Sequence, residues 1–157
     1  MKYESNTTLQ AILAELGQLS HDEGVVLSIY RDSLGHPTLG CGTLITSDMP
    51  EHGLPIGTPV SEARCAELLF AELVEKTLHD GPRVFGDAWD GFPMEAKQVF
   101  INFLFNIGAT RAAKFVKMIY AAKTSQWNVA AAELLDSRYA VQVGNRATRL
   151  ADRLRVL

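Results

Sequence analysis

The sequence predicts an α+β fold with segregated elements: a small β-containing front part, a long connecting helix and a helical back part. Strand chemistry is confined to residues 25 to 46, where Val25 to Tyr30 are rich in β-branched and aromatic side chains and "SLGHP" supplies a turn. From Ser61 onward, apolar residues recur at helical spacing. At 157 residues and 47% hydrophobic content, the chain is long enough for one domain with its own core. Within that single domain, 1–157, the expected parts are a front lobe (1–60), a connecting helix (61–80) and a helical lobe (81–157).

Residues 7 to 23 read as a helix because Leu9, Ile12, Leu13, Leu16 and Leu19 follow helical spacing; Gly17 and Ser20 weaken it and could divide it in two. Residues 47 to 60, with Pro50, Pro55 and Pro59, read as a loop. Ser61 is an expected N-cap, with Glu62 in the first turn of a helix running to about His79 and carrying Leu68, Leu69 and Leu73 on its apolar side. "DGPRVFGDAWDGFP" (80 to 93) reads as a second irregular segment. Only helices are expected after it, at about 94–106, 109–122, 126–136, 138–141 and 145–155.

The net charge of −3 conceals an asymmetry. Residues 1 to 80 hold twelve acids against four bases, and residues 81 to 157 six acids against eleven bases. Arg138, Arg146, Arg149, Arg153 and Arg155 crowd the last twenty residues, so a basic face for a polyanion is one expectation and a solvated terminal helix the plainer one. No apolar run is long enough to span a membrane, and the polar start "MKYESNTTLQ" predicts no secretory signal. Cys41 and Cys65 are the only cysteines and read as reduced, buried small residues. His21, His36, His52 and His79 show neither H-E-x-x-H nor other zinc spacing, which argues against a zinc amidase or peptidase. Cys41 and His36 sit on one hairpin with no third orienting residue, a poor nucleophile pair.

Chemistry concentrates in "HDEGVVLSIYRDSLGHPTLGCGTL" (21 to 44). At about 100° per residue, Glu23 lies within roughly 40° of Leu9 and Leu16, on the apolar stripe of its helix. Apolar neighbours disfavour a carboxylate, the environment a proton-donating acid needs. Asp32 and Thr38 stand symmetrically about Gly35 and are expected to face each other across the turn. Taken singly, each has a plain explanation: a helix-terminal Glu in water, turn chemistry, strand propensity. Together they supply the parts for glycosidic cleavage: one carboxyl to protonate the leaving oxygen, another to act on water or sugar, and a hydroxyl to hold the water. Gly40 and Gly42 follow a strand but open no phosphate-binding helix, so close approach to a bulky ligand fits them better than nucleotide binding.

The spacing E-(x8)-D-(x5)-T, as Glu23, Asp32 and Thr38, resembles the phage lysozymes of the T-even type, a muramidase family (glycoside hydrolase family 24). "FLFNIGATRAAKF" (103 to 115), "SRY" (137 to 139) and "NRATR" (145 to 149) resemble that family's later motifs, so the likeness runs from about residue 20 to 157. It implies a two-lobed lysozyme-like fold with a small antiparallel sheet. It also implies hydrolysis of the β-1,4 bond between N-acetylmuramic acid and N-acetylglucosamine in peptidoglycan. Carried over by position, Glu23 is the general acid, Asp32 the second carboxylate and Thr38 the residue that positions water. Arg146 matches an Arg that pairs with the catalytic Glu; Leu44, Phe105 and Asn106 match cleft positions, although a plain core role for Phe105 is equally expected. Thr38 favours inversion, with carboxyl groups about 6.5–9.5 Å apart.

The sequence also departs from the family. Thr43 stands where the family often has a His, Glu133 where it has a substrate-contacting Asn, and residues 1 to 19 make a longer first helix that extends the core or docks a partner protein. An acid at 133 changes sugar contacts or repels substrate carboxylates. The resemblance implies no cofactor or metal, no nucleic acid partner and no membrane insertion. It leads us to expect a monomer made in a host bacterial cytoplasm that reaches the periplasmic wall through a separate release factor, as a phage endolysin, a tail-associated wall cutter or a secreted antibacterial toxin. Asp32 and Thr38 count against a lytic transglycosylase. The rival from another class is a non-catalytic wall-binding or partner-binding module on the same fold.

Overall fold

The computed structural model describes residues 7–157. The architecture is α+β: a three-stranded antiparallel sheet in the front part and helices elsewhere. Two compact units are defined, one of residues up to Glu15 with Leu73–Leu157, the other Leu16–Glu72.

The Leu16–Glu72 unit is built on β1 (Val26–Arg31), β2 (Pro37–Gly40) and β3 (Thr43–Leu44), in that order. Tyr30 pairs with Thr38 and Arg31 with Pro37, and the pairing shifts by a bulge before Val26 meets Gly40. The proline-rich loop lies along the other edge of β1: Ile29 donates to Thr58 O, Gly57 donates to Ile29 O, and Val60 donates to Leu27 O. This edge pairing is what buries Ile29, Leu39, Val60 and Cys65 as a small core. Arg64 clamps the loop by donating to both oxygens of Glu51 at 2.7 and 3.2 Å, a two-point pair that holds the Glu51 carboxyl below its ordinary range. Ser61 caps the helix as expected, accepting from the Arg64 amide at 3.1 Å.

α1 (Thr7–Glu23) runs unbroken through Gly17 and Ser20. It buries Leu9, Ile12 and Leu19, while Leu13 is exposed. α2 (Glu62–Phe85) extends past His79, the expected end, through Asp80, Gly81 and Pro82. Proline removes one helical hydrogen bond, a local cost of about 3 kcal/mol. Burial of Val84 and Phe85 beyond it offsets that cost, and Phe85 stacks on Trp89 with centroids 5.8 Å apart. Gly81 admits the indole: a Cβ there would lie 2.4 Å from Trp89 Cε2. What remained of the expected irregular segment is a 3₁₀ turn, Gly86–Gly91.

The other unit contains the end of α2 and α3 (Met94–Ile107), α4 (Ala109–Ala112), α5 (Val116–Lys123), α6 (Trp127–Leu135), α7 (Arg138–Val143) and α8 (Asn145–Arg155). Phe85, Trp89, Phe92, Phe100 and Trp127 form its aromatic core. The single helix expected over 109–122 is broken at Ala113–Phe115, where the Phe115 ring sits edge-on to Phe103 and Tyr139. Lys97 is buried, with Nζ donating to Thr7 Oγ1 at 2.6 Å and Asp90 O at 3.1 Å; burial lowers its pKa. Among the described residues no helix is long and apolar enough to cross a membrane.

Candidate active site

The hairpin turn centres one residue earlier than its symmetry about Gly35 suggested. Asp32 N donates to His36 O at 3.0 Å, and Gly35 N donates back to Asp32 O at 2.9 Å. Asp32 therefore faces His36, and Thr38 faces Tyr30, so the expected Asp32–Thr38 pairing across the strands does not occur. A three-residue loop of Ser33, Leu34 and Gly35 sets this register.

Asp32 is largely a turn builder. Its Oδ1 accepts from the amides of His36 at 2.8 Å and Leu34 at 2.9 Å. These amides, His36 first, hold its carboxyl below the ordinary range. Oδ2 lies 3.6 Å from His36 Nδ1. Arg31 seals the turn by donating to Gly35 O. Thr38 is 1% exposed, and its hydroxyl donates to His36 O at 2.9 Å. One carbonyl, that of His36, thus accepts from both Asp32 and Thr38 and fixes them to each other.

Glu23 is the last residue of α1 and is half-buried. Its charge is felt at Cys41, a half-buried free thiol whose pKa is pushed up to about 11, by burial first and then by Glu23, Cys65 and Glu72. Tyr30 is raised in turn by burial, by Asp32 and by Cys41. Glu23, Cys41, Tyr30 and Asp32 are thus electrostatically linked within one unit. The sequence reading did not single out Tyr30, which the strand register sets opposite Thr38.

Leu44 pairs with Thr38 and is 51% exposed. The glycines around Cys41 serve the β2–β3 turn: both have positive φ, 60° at Gly40 and 88° at Gly42, and a Cβ on Gly40 would press on Cys65 at 3.3 Å.

Phe105, Asn106, Glu133 and Arg146 belong to the other unit. Phe105 is half-buried, not core, and Lys76 Nζ stands 5.1 Å from its ring centre. Asn106 is half-buried near the end of α3. Glu133, on α6, lines a cavity of about 400 Å³ with Phe115 and Met118. Arg146 Nε donates to Asn102 Oδ1 at 2.8 Å, and Asn102 Nδ2 donates to Glu15 Oε1 at 2.9 Å. Asn102 is fully buried, and a lone Asn in the apolar run "INFLF" was the unread signal for that relay. Of the five arginines expected on a basic face, Arg153 is bound to Glu15 and Glu95, Arg155 to Asp152 and Arg146 to Asn102. Among the described residues no group of His, Cys, Asp and Glu is placed to hold a metal.

A helix that ends at Glu23, a hairpin that carries Asp32 and the buried Thr38, and a helical unit make up a lysozyme-type protein of the α+β class. The phage lysozyme family profile matches residues 20–155, and the chain belongs to that family. It is 24% identical over 149 residues to a probable T4-type lysozyme 2 of Dictyostelium discoideum, covering 84% of this chain and 88% of that protein. A second protein of that organism, probable T4-type lysozyme 1, is 24% identical over 150 residues, with 84% and 88% covered. The pre-baseplate central spike protein Gp5 of Enterobacteria phage T4 is 27% identical over 148 residues, covering 84% of this chain but 26% of that protein.

Proposed function

We propose that this protein hydrolyses the β-1,4 bond between N-acetylmuramic acid and N-acetylglucosamine in bacterial peptidoglycan, so that the wall lyses. The observation that carries the reading is the fixed set in one unit: Glu23 at a helix end, and Asp32 and Thr38 tied to a single carbonyl. Glu23 protonates the leaving oxygen. Asp32, with Oδ1 held by two amides and kept ionised by them, acts through Oδ2 on the attacking water, which Thr38 helps position. Attack by water rather than by Asp32 gives inversion. On the same reading Leu44 offers a sugar contact in the unit that holds Glu23, and Phe105, Asn106 and Glu133 offer contacts in the helical unit, where Arg146 is held by Asn102. The chain works as a monomer on the periplasmic wall, as an endolysin reaching it through a separate release factor. The likeness to part of a baseplate spike protein supports a second setting for the same chemistry, as a tail-associated wall cutter.

The test is clearing of purified Gram-negative peptidoglycan by the native chain beside Glu23→Gln. Clearing by the native chain alone supports the assignment. Clearing by both places the acid elsewhere. Binding without clearing by either favours the non-catalytic module.

A further inference from the structure

The two carboxyl oxygens of Asp32 have different surroundings. Oδ1 accepts from the amides of Leu34 and His36 at 2.9 and 2.8 Å and is committed to the turn. Oδ2 faces the His36 ring, whose Nδ1 stands 3.6 Å away. That separation is too long for a direct hydrogen bond but within reach of an ion pair. The backbone of His36 holds the ring there: its amide donates to Oδ1, and its carbonyl accepts from Asp32 N and from the Thr38 hydroxyl. The His36 side chain is 60% exposed, so it exchanges protons with solvent while it stands beside the carboxylate.

Imidazole is the side chain whose charge changes between about pH 5 and pH 8. Neutral, the ring puts no charge beside Oδ2. Protonated, it is a cation in ion-pair range of that oxygen, and it joins the two amides in holding the Asp32 carboxyl below its ordinary range. A carboxylate stabilised in its ionised form is a weaker base towards water. The amides act alike at every pH, whereas the ring acts only when charged. Other charged or titratable groups face it from β1: Arg31, which donates to Gly35 O at 2.9 Å, and Tyr30, opposite Thr38. Arg31 stays charged throughout this range, and Tyr30, raised by burial and then by Asp32, stays neutral. β3, on the other side of β2, brings only the uncharged Thr43 and Leu44.

We propose that His36 is a positioning residue for Asp32: its neutral ring leaves Oδ2 open to the attacking water, and its protonated ring holds Oδ2 in an ion pair, so that hydrolysis is held down in mildly acid medium and released towards neutral pH. The inference rests on the hydrolase reading above, in which Oδ2 acts on the water, and names how that site is regulated. His36 acts through Asp32 and needs no contact with the sugar.

Initial rates of wall clearing by the full chain, native and His36→Gln, test this at about pH 5.5 and about pH 8. Gln does not titrate and keeps the backbone amide and carbonyl that fix Asp32 and Thr38. From the lower to the higher pH, the native rate should rise about threefold more than the His36→Gln rate, the size expected for an exposed pair. A merely structural role for the ring would change both pH points alike. Carboxyl carbon NMR titration of Asp32 reads the same contact without activity: in His36→Gln its midpoint should move up towards 3.8 but stop short, since the amides remain. A native-to-variant ratio that does not change with pH, or an unmoved Asp32 midpoint, would overturn the assignment. Clearing by the native chain with an unmoved midpoint removes the His36 assignment alone. No clearing at either pH by the folded native chain, with the midpoint moved, overturns the hydrolase reading and with it the control of hydrolysis, while the pairing of His36 with Asp32 stands.

Discussion

Arg153 places Nη1 2.9 Å from one oxygen of Glu15 and 3.0 Å from the other, although Glu15 is only 1% exposed. The same guanidinium reaches Glu95 and, at 2.9 Å, Gln98. Glu15 also accepts from Asn102, whose oxygen receives Arg146. Of the added length of the first helix, residues 1–6 lie outside the described residues, and Glu15 is a buried carboxylate that ties the helix to Arg153 and Asn102.

Glu15→Ala should destabilise the protein by about 1–3 kcal/mol, because it leaves the Asn102 amide without its acceptor and Arg153 with only Glu95 and Gln98. Replacing the pair together, Glu15→Leu with Arg153→Met, should cost far less. Urea unfolding of the three proteins measures both, and a small loss for Glu15→Ala would mean that the network relaxes around water.

Burial raises the Glu15 pKa above its ordinary 4.5, against the lowering contacts of Asn102 and Arg153. The native state then binds more protons than the unfolded chain between 4.5 and the folded value. Its stabilising contribution is complete below 4.5 and is lost as pH rises through the folded value. Glu15→Gln should flatten that part of the stability–pH curve.

Asp32 has the opposite sign. Its folded pKa lies below the ordinary 3.8, so its contribution is present above 3.8 and lost as pH falls through the folded value. Asp32→Asn retains an oxygen for the Leu34 and His36 amides and should fold with an unchanged hairpin. Wall hydrolysis should nevertheless fall by about a hundredfold or more, since the ionised group is gone. Activity close to native in a folded Asp32→Asn would reduce Asp32 to its turn-building role.

Gly81→Ala should cost about 1–3 kcal/mol by overpacking, because the new methyl meets the rigid Trp89 ring at 2.4 Å. Differential scanning calorimetry reads this directly, and a neutral result would mean that the indole has room to swing.

Cys41 should react slowly with thiol reagents at neutral pH, with the inflection of the rate–pH profile near 11. Glu23→Gln should move the inflection down, but not to the ordinary value of 9.0, since burial is the larger cause. An unmoved inflection would separate the two residues and weaken the electrostatic chain through Tyr30 to Asp32.

Local patterning made much of this legible. The Ser61 cap, the strands at 26–31 and 37–40, and helices α3, α6 and α8 fall within a few residues of their expected places, because propensity and turn chemistry act over short range. The extension of α2 through Pro82 and the break at Phe115 were not legible, since each depends on aromatic partners distant in sequence. The register was misread by one residue because Gly35 suggested a symmetric turn, whereas the side chain of Asp32 selects the asymmetric one.

By itself, then, the sequence determined the fold class, the helix-then-hairpin order that delivers Glu23, Asp32 and Thr38 to one unit, and the likeness to the phage lysozymes. All of these are set by residue types at short, fixed spacings. Only the tertiary structure decided that Thr38 faces Tyr30, that Cys41 lies in the field of Glu23, that Glu15 anchors the first helix through Arg153, and that Glu133 shares a hollow with two lysines. The first follows from the turn that the Asp32 side chain selects, and the others from which groups folding brings together from separate segments, which neither periodicity nor spacing carries.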